Sequence, residues 1–389
     1  MKHLLCLLLT FACCLPTDAQ RYRYSTNFSF SKSNFCDTIP IMIEDDQIYI
    51  NIDVNRRLLR FNLDTGSSQG TLVGTEGLGK WRELGNVVSR DANGRMDTVK
   101  VIQMPPFRIG NLVVNDYIAT ILPHPPIKGH YTGTIGFDFI HKGLCVKIDA
   151  LRHQLIISDR RSAFDDEPGY ALRYKLKWFV PYLLISPFIR HADESLLDLG
   201  SQQLYTMNKE SFDRHAYKSK QVNAQVEGFT KGSLAIGSYG TEQHDEVAFL
   251  HLDRLKWGDF SFNDVRAVTT QGTSRIGAKI LRYGNLIIDP FRRQIIFQPH
   301  NDSSSVTVAN RQFGVAFIPR EGKPVVGLIF PKCEAYLNGM RQGDTIIRID
   351  NQPINDFRQF VNFPFTEGRR YTFFLISADG QEKQVSVER

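Results

Sequence analysis

One short pattern, an apolar strand end followed by Asp-X-Gly-Ser, occurs twice in this chain. The first copy is Asp64-Thr65-Gly66-Ser67 and the second is Asp198-Leu199-Gly200-Ser201. Three further segments repeat in the same order at a nearly constant separation, namely residues 109–116 as 257–264, 134–136 as 275–277, and 146–157 as 286–297. Four ordered matches predict that the chain contains two copies of one domain.

Strand signals dominate the rest of the sequence. Short β-branched and aromatic runs alternate with Gly, Asn, Asp and Pro, and helical periodicity is scarce, so we expect a mostly β fold. The domain boundaries that we predict are a first lobe over 20–160, a second over 161–298, a linker over 299–308 and a small domain over 309–389. The polar, Ser-rich linker implies few contacts between the last domain and the lobes.

The composition excludes several classes of protein. With 42% hydrophobic and 23% charged residues, the chain is neither wholly disordered nor a coiled coil. The formal charge of +6 arises from scattered Lys and Arg residues, so we expect no nucleic-acid partner. The histidines form no His-Glu-x-x-His pattern, so we expect no metal site, and no motif calls for a cofactor.

The N-terminal residues indicate export. A short positive start precedes the apolar residues 4–15, and Ala19 ends a small-residue cleavage site. We therefore predict a signal peptide over residues 1–19 and a periplasmic or secreted protein. A lipoprotein, modified at Cys13 or Cys14, is the less favoured alternative because a bulky residue stands where a lipobox prefers a small one. No later segment is long enough to span a membrane.

The cysteines beyond that segment are Cys36, Cys145 and Cys333, an odd number. Disulfides therefore do not hold the fold together. Two alternatives stay open for these residues. They are a bridge between Cys36 and Cys145, or three buried thiols that act as small apolar side chains.

Each copy of the Asp-X-Gly-Ser pattern places a carboxyl group at a tight Gly turn, where no adjacent side chain crowds it. Two such turns from two related lobes would bring Asp64 and Asp198 face to face. Two like charges at short range cannot both ionise at modest pH, so the pair would share a proton. The ionised member can then act as a general base on water while the protonated member polarises a carbonyl.

These residues resemble a known family. Asp64-Thr65-Gly66-Ser67-Ser68, the later Ile135-Gly136 and the duplicated order are similar to the aspartic proteases of the pepsin and retropepsin type, over residues 38–298. In segment length the chain is more similar to small bacterial retropepsin-like proteins than to pepsin. The resemblance implies two pseudo-symmetric acid-protease-like β lobes and an aspartic-type endopeptidase that acts on a peptide or protein. It implies that Asp64 and Asp198 are catalytic, with support from Thr65, Gly66, Ser67, Gly200 and Ser201.

The resemblance also assigns roles around the two carboxyl groups. Residues 134–136 and 275–277 would pack against the loops that carry them. A hairpin at residues 88–96 is either the flap that covers substrate or an ordinary surface hairpin. The hydroxyls of Ser67 and Ser201 would donate to the carboxylates, favour their charged form and produce an acidic pH optimum.

Leu199 departs from the family pattern, which has Thr or Ser at that position. One hydroxyl of the interlocked pair beneath the carboxyl groups is therefore missing, and Thr65 cannot exchange symmetric hydrogen bonds with it. Either the loop is looser or backbone groups compensate. Two functions stay open, an active peptidase and a protease-like protein that binds peptides or serves as a scaffold without turnover.

Residues 309–389 resemble a PDZ domain of the bacterial kind. Phe313-Gly314-Val315-Ala316-Phe317 comes first, and a short helix, a Gly-Asp turn and a strand follow. Such domains add a peptide strand to a sheet edge and hold its terminal carboxylate with backbone N–H groups. The resemblance implies that Gly314, Val315, Ala316 and Phe317 bind the C-terminal end of a peptide. The alternative is that the protease body covers the groove and the domain only packs.

Overall fold

The computed structural model of the chain describes residues 23–124, 131–308 and 313–389. The fold is mostly β, as expected. The predicted signal peptide over residues 1–19 lies outside the described residues. No helix in the described part of the chain is long and apolar enough to cross a membrane.

In its described residues, the first copy of the repeat forms thirteen strands and one short helix. Their bounds are β1 (Ser29–Phe30), β2 (Cys36–Glu44), β3 (Gln47–Val54), β4 (Arg57–Leu63), β5 (Gly70–Leu72), β6 (Arg82–Arg90), β7 (Met96–Gln103), β8 (Phe107–Ile109), β9 (Leu112–Asn115), β10 (Ile118–Ile121), β11 (Gly133–Ile135), α1 (Phe137–His141), β12 (Cys145–Asp149) and β13 (Gln154–Ser158). Strand β3 shows why these segments are extended, because every second residue is buried in the core. These residues are Ile48, Ile50, Ile52 and Val54.

The second copy follows the same plan with an added pair of helices. Its elements are β14 (Tyr170–Lys177), β15 (Val180–Phe188), β16 (His191–Asp198), β17 (Tyr205–Asn208), α2 (Lys209–Lys218), α3 (Lys220–Asn223), β18 (Val226–Gly232), β19 (Ile236–Gly237), β20 (Gly240–Thr241), β21 (Asp245–Trp257), β22 (Phe260–Thr270), β23 (Arg275–Gly277), a 3₁₀ helix (Ala278–Arg282), β24 (Gly284–Asp289), β25 (Gln294–Pro299) and β26 (Ser305–Thr307).

The last part of the chain forms a separate sheet with two short helices. Its elements are β27 (Val315–Arg320), β28 (Lys323–Ile329), α4 (Glu334–Leu337), β29 (Thr345–Ile349), β30 (Gln352–Pro353), α5 (Phe357–Val361), β31 (Arg370–Ile376) and β32 (Glu382–Glu388). The strand order is β27-β28-β29-β31-β32, and β30 pairs with β29. Strand β27 therefore lies at an edge of this sheet.

A single sheet joins the two copies of the repeat. Its strand order is β2-β13-β12-β24-β25-β14, so the first three strands come from one copy and the last three from the other. At its centre β12 and β24 pair in antiparallel fashion, with Lys147 opposite Ile287. The segments that the sequence pairs as repeats, 146–157 and 286–297, thus occupy equivalent places on either side of this axis.

The strand that leads into each Asp is equivalent in the two lobes. β4 pairs in parallel with β11, Leu63 lying opposite Ile135. β16 pairs in parallel with β23, Leu197 lying opposite Ile276. The same register in both lobes confirms that the short sequence matches mark one duplicated structure.

The predicted linker over residues 299–308 is wrong in part. Residues Ser305–Thr307 form β26, which pairs in parallel with β22 of the second lobe. The Val308 N–H donates to the carbonyl of Asn263 at 2.8 Å, which extends this pairing. The segment is too short and polar to be recognised as a strand from its own sequence, and it is ordered by the neighbouring edge.

The expectation of few contacts between the last domain and the lobes is also wrong. Val247, Phe249 and Val268 of the second lobe belong to the same hydrophobic cluster as the core of the last domain. The rings of Phe249 and Phe330 stack with their centroids 4.4 Å apart. Strand β21 has apolar side chains on both of its faces. Ala248 and Leu250 belong to the core of the lobes, whereas Val247 and Phe249 pack against the last domain.

The cysteines match neither alternative in full. All three are free thiols, so no bridge joins Cys36 to Cys145. Cys145 and Cys333 are buried, whereas Cys36 is exposed at the start of β2. Two of the three thus act as small apolar side chains.

The shared cluster predicts that the last domain and the second lobe unfold together. Phe330→Ala removes a buried, stacked ring, and we expect a loss of about 3 kcal/mol in the free energy of unfolding. Denaturant unfolding, followed by signals from the lobes and from the last domain, measures this. Leu337→Ala is the control because Leu337 is 71% exposed. Separate unfolding transitions, with only that of the last domain affected by Phe330→Ala, would show that the last domain and the second lobe unfold independently.

Candidate active site

The two Asp-X-Gly-Ser loops lie at the interface of the lobes, and each is held by its own lobe in the same way. In the first, the Phe137 N–H donates to the Ser67 carbonyl at 2.8 Å. In the second, the Ala278 N–H donates to the Ser201 carbonyl, also at 2.8 Å. The segments 134–136 and 275–277 therefore pack against the loops, as the resemblance implies.

Each loop glycine lies against the carboxyl group carried by the other loop. A Cβ on Gly200 would be 2.8 Å from both carboxyl oxygens of Asp64. A Cβ on Gly66 would be 2.5 Å from Asp198 Oδ1. Both positions therefore require glycine for reasons of space, and the structure brings Asp64 and Asp198 together across the lobe interface.

Backbone amides orient both carboxyl groups. The Gly66 N–H donates to Asp64 Oδ1 at 2.8 Å, and the Gly200 N–H donates to Asp198 Oδ1 at 3.1 Å. Desolvation, followed by the negative charge of Asp198, raises the pKa of Asp64 to about 7, and the backbone amides only partly offset this. Asp64 is thus protonated over most of the acid range while its side chain contacts a second carboxyl group.

Thr65 links the loops through backbone groups of the second lobe. Its hydroxyl donates to the Leu197 carbonyl at 2.6 Å and accepts from the Leu199 N–H at 3.1 Å. Thr65 is fully buried, and so is Leu199, whose side chain belongs to the main hydrophobic core. The sequence left two alternatives for the missing hydroxyl at Leu199, a looser loop or compensation by backbone groups. For the hydrogen bonds of Thr65, the second alternative holds, because both of its partners are backbone groups.

The expectation for Ser67 is wrong. Its hydroxyl donates its one proton to the Gln69 carbonyl at 2.7 Å and not to the carboxyl group of Asp64. Ser67 acts on Asp64 through its backbone N–H, which lowers the pKa of that carboxyl and only partly offsets the effect of burial. The Ser201 N–H donates to the backbone carbonyl of Asp198 at 3.0 Å, in the same kind of turn. The acidic pH optimum was expected because both serine hydroxyls would donate to the carboxylates, and for Ser67 this premise is wrong.

Two residues beside the pair were missed by the sequence reasoning. Arg275, which is 9% exposed, places Nη1 3.6 Å from Asp198 Oδ2. Tyr131 lies near Asp64, and burial together with the Asp64 charge raises the pKa of its phenol. The only available signal for Arg275 was a charged residue inside an otherwise apolar repeat element.

The hairpin predicted at residues 88–96 is present as β6 and β7, and its tip reaches the second lobe. The Tyr239 N–H donates to Asp91 Oδ2 at 3.0 Å, and Arg95 Nη1 donates to the Tyr239 carbonyl at 3.2 Å. Arg275 Nη2 donates to the Ala92 carbonyl at 3.1 Å. The tip of this hairpin thus lies on the second lobe beside Arg275, and the name flap is used below for residues 88–96.

The residues assigned to peptide binding in the last domain lie along one sheet edge. Val315, Ala316 and Phe317 belong to β27, which pairs only with β28 among the described residues. Gly314 precedes the strand with a φ of 71°, which a glycine adopts without strain. The Phe317 ring lies 4.5 Å from that of Phe360 in α5, centroid to centroid. The loop residues 309–312 lie outside the described part of the chain.

In the described residues, no group of three or more His, Cys, Asp or Glu side chains could hold a metal ion. The site as described consists of two carboxyl groups, backbone amides, one arginine and one tyrosine. Such a set can move protons and polarise a carbonyl without further groups.

No family model matches the chain, and no curated protein matches it. Among solved structures it is similar to basic 7S globulin from soybean, at 8% identity and a TM-score of 0.41, over 68% of this chain and 94% of that one. It is also similar to an aspartic proteinase from Irpex lacteus, at 10% identity and a TM-score of 0.44, over 68% of this chain and 97% of that one. The function therefore has to be argued from the geometry of the site.

The Thr65 hydroxyl predicts a measurable role in holding the loops together. Thr65→Val keeps the shape of the side chain but leaves the buried Leu197 carbonyl and Leu199 N–H without their partner. We expect a loss of about 1–3 kcal/mol in the free energy of unfolding. Thr65→Ser keeps the hydroxyl and is the matched control, and denaturant unfolding of both variants measures the difference. Equal stability of the Val and Ser variants would show that these hydrogen bonds contribute nothing.

Proposed function

We propose that this chain is an aspartic-type endopeptidase that hydrolyses peptide bonds with water activated by Asp64 and Asp198. The observation that carries the proposal is the mutual packing of the two Asp-Gly loops, in which each carboxyl group rests on the glycine of the other loop. Two carboxyl groups in contact share a proton, so that one acid and one base lie side by side.

The surroundings of the pair favour one distribution of the proton. The raised pKa of Asp64 keeps that group protonated up to about pH 7. Of the two carboxyl groups, it is Asp198 that forms an ion pair with the Arg275 guanidinium, with Nη1 3.6 Å from Asp198 Oδ2. We therefore assign Asp198 as the general base and Asp64 as the general acid.

The reaction then balances without a cofactor. Asp198 takes a proton from water as the water oxygen bonds to the peptide carbonyl carbon, and Asp64 gives its proton to the carbonyl oxygen. In the second step Asp198 gives its proton to the amide nitrogen, the C–N bond breaks, and one diol hydroxyl returns a proton to Asp64. The products are a free acid and a free amine, and the pair regains its single proton.

Substitution of either carboxyl group tests the proposal. Asp64→Asn and Asp198→Asn should each reduce turnover by on the order of 10²–10⁴-fold, because each removes one half of a shared-proton pair. Digestion of a peptide library, read by mass spectrometry, measures this. Asp138→Asn is the control, since Asp138 is a buried carboxyl group of the same lobe that bonds Tyr117 and lies outside the pair.

The pH profile of the wild type adds a second criterion. As pH rises through about 7, Asp64 loses its proton and the pair loses its acid, so we expect turnover to fall above that value. Cleavage that survives in Asp198→Asn would show that the second loop is not catalytic. Peptide binding without turnover in the wild type would favour the protease-like binding protein instead.

A second candidate function, peptide docking on the last domain, is favoured by the edge position of β27. We propose that Val315, Ala316 and Phe317 pair with an extended peptide whose terminal carboxylate meets the backbone at Gly314. The free side of β27 is not paired by any described strand. Val315, Ala316 and Phe317 pack against the cluster shared with the second lobe but are only partly buried. Packing of the domain and an open edge are therefore compatible in this structure.

Phe317→Lys tests this docking by placing a charge beside the Phe360 ring in the groove. We expect affinity for peptides with a free C-terminal carboxylate to fall about tenfold or more, while cleavage of short peptides stays unchanged. Fluorescence anisotropy with labelled peptides, with free or amidated C-termini, measures the binding. Lys323→Ala, on the far end of the hairpin, is the matched surface control. Equal binding of free and amidated peptides would contradict carboxylate capture.

A further inference from the structure

Arg275 is a nearly buried cation that lies between the carboxyl pair and the tip of the flap. Its three nitrogens have three different partners. Nη1 lies 3.6 Å from Asp198 Oδ2, Nη2 donates to the Ala92 carbonyl at 3.1 Å, and Nε donates to the Thr273 carbonyl at 3.2 Å. The equivalent residue of the first repeat is Thr134, which bonds within its own lobe. The cation is thus particular to the second copy.

The flap is closed onto the second lobe in this structure. Asp91 and Arg95 bond the two backbone groups of Tyr239, and Ala92 bonds Arg275. A Cβ on Gly272 would overlap the Ala92 carbonyl, so the tip rests directly on the loop that precedes Arg275. Under the proposed function, a peptide that lies across both lobes would pass beneath this tip, so the flap would have to open for entry and close again.

We propose that Arg275 is a positioning residue that couples closure of the flap to the singly ionised state of the Asp64–Asp198 pair. This inference rests on the proposed peptidase function. When the flap is closed, the Ala92 carbonyl fixes the guanidinium against Asp198, and a cation at this distance stabilises the carboxylate. When the flap opens, Nη2 loses that acceptor, and the guanidinium is positioned only by the Thr273 carbonyl and by Asp198 itself. The pair therefore reaches its working charge state most readily when the site is enclosed.

Thermodynamic linkage makes the coupling reciprocal. If closure of the flap favours the anionic pair, the anionic pair favours closure by the same factor. Two side chains of the described residues lie next to the pair. From the first lobe, the neutral phenol of Tyr131 lies near Asp64, and from the second lobe the ion pair with Asp198 comes from Arg275. The flap residues Asp91 and Arg95 are engaged by Tyr239, so Arg275 is the described group that touches both the flap and the pair.

The first experiment measures turnover against pH for Arg275→Thr, the residue of the first repeat, and for Arg275→Lys. We expect the acid limb of the profile to move to higher pH by about one unit or more in Arg275→Thr, because the pair loses the charge that stabilises its anion. Arg275→Lys keeps a cation and should move the limb less. Coincident acid limbs in the wild type and Arg275→Thr would overturn the inference.

The second experiment needs no catalytic activity. Hydrogen exchange of the flap residues 88–96 reports how often the tip opens. Arg275→Thr and Asp198→Asn should each speed this exchange, and the double variant should exchange no faster than the faster single variant, because both break one linkage. Arg95→Ala is the matched control, since it breaks a different contact of the tip. Its effect on the free energy of opening should add to that of Asp198→Asn.

The two experiments separate failure of the inference from failure of the proposed function. A chain that cleaves no peptide but shows the non-additive exchange still supports the link between Arg275, the flap and Asp198, and contradicts only the peptidase. Additive exchange effects of Arg275→Thr and Asp198→Asn would show that Arg275 merely supports the flap. In that case the coupling is wrong even where Asp64→Asn and Asp198→Asn abolish cleavage.

Discussion

The contact between two Asp-Gly loops from different lobes is the constraint on which the rest of this structure depends. Each carboxyl group lies where a Cβ of the opposite glycine would stand, so the loops can approach only if Gly66 and Gly200 have no side chains. The six-stranded sheet holds the two lobes, and therefore the two loops, together, because its central strands β12 and β24 belong to different copies. Separation of the lobes would break main-chain hydrogen bonds and expose the apolar core beneath them.

A duplicated scaffold here carries an asymmetric site. The backbone pairing is the same in both copies, yet Thr65 faces Leu199 and Thr134 corresponds to Arg275. One copy contributes the hydroxyl that spans the interface, and the other contributes the cation beside the carboxyl pair. Two carboxyl groups in identical surroundings would share the proton equally. The unequal neighbours distinguish the two carboxyl groups, which supports the acid and base roles that we propose for them.

The lobes and the carboxyl pair could be predicted from the sequence because their signals are local and occur twice. Asp-X-Gly-Ser specifies a turn by itself, and repetition at fixed spacing reveals the pseudo-symmetry. Strand β26 could not be predicted, since Ser305–Thr307 is extended only through pairing with β22. The roles of Arg275 and the Ser67 hydroxyl were equally hidden. The atoms that these side chains contact belong to segments that are distant in sequence, so a local sequence pattern does not predict the contacts.

The packing of the last domain changes how it can influence the cleft. A domain on a flexible linker acts only by raising the local concentration of what it binds. Here Val268 of β22 lies in the cluster shared with the last domain. Two residues later, Thr270 ends this strand, and its hydroxyl donates to the buried carboxyl group of Glu242. The loop beneath the flap begins after Thr270. That loop runs on to Gly272, on which the flap tip rests, so packed side chains and continuous backbone connect the domain to the flap. A peptide held on β27 would therefore have a set orientation relative to the carboxyl pair, because packing and not linker length determines it.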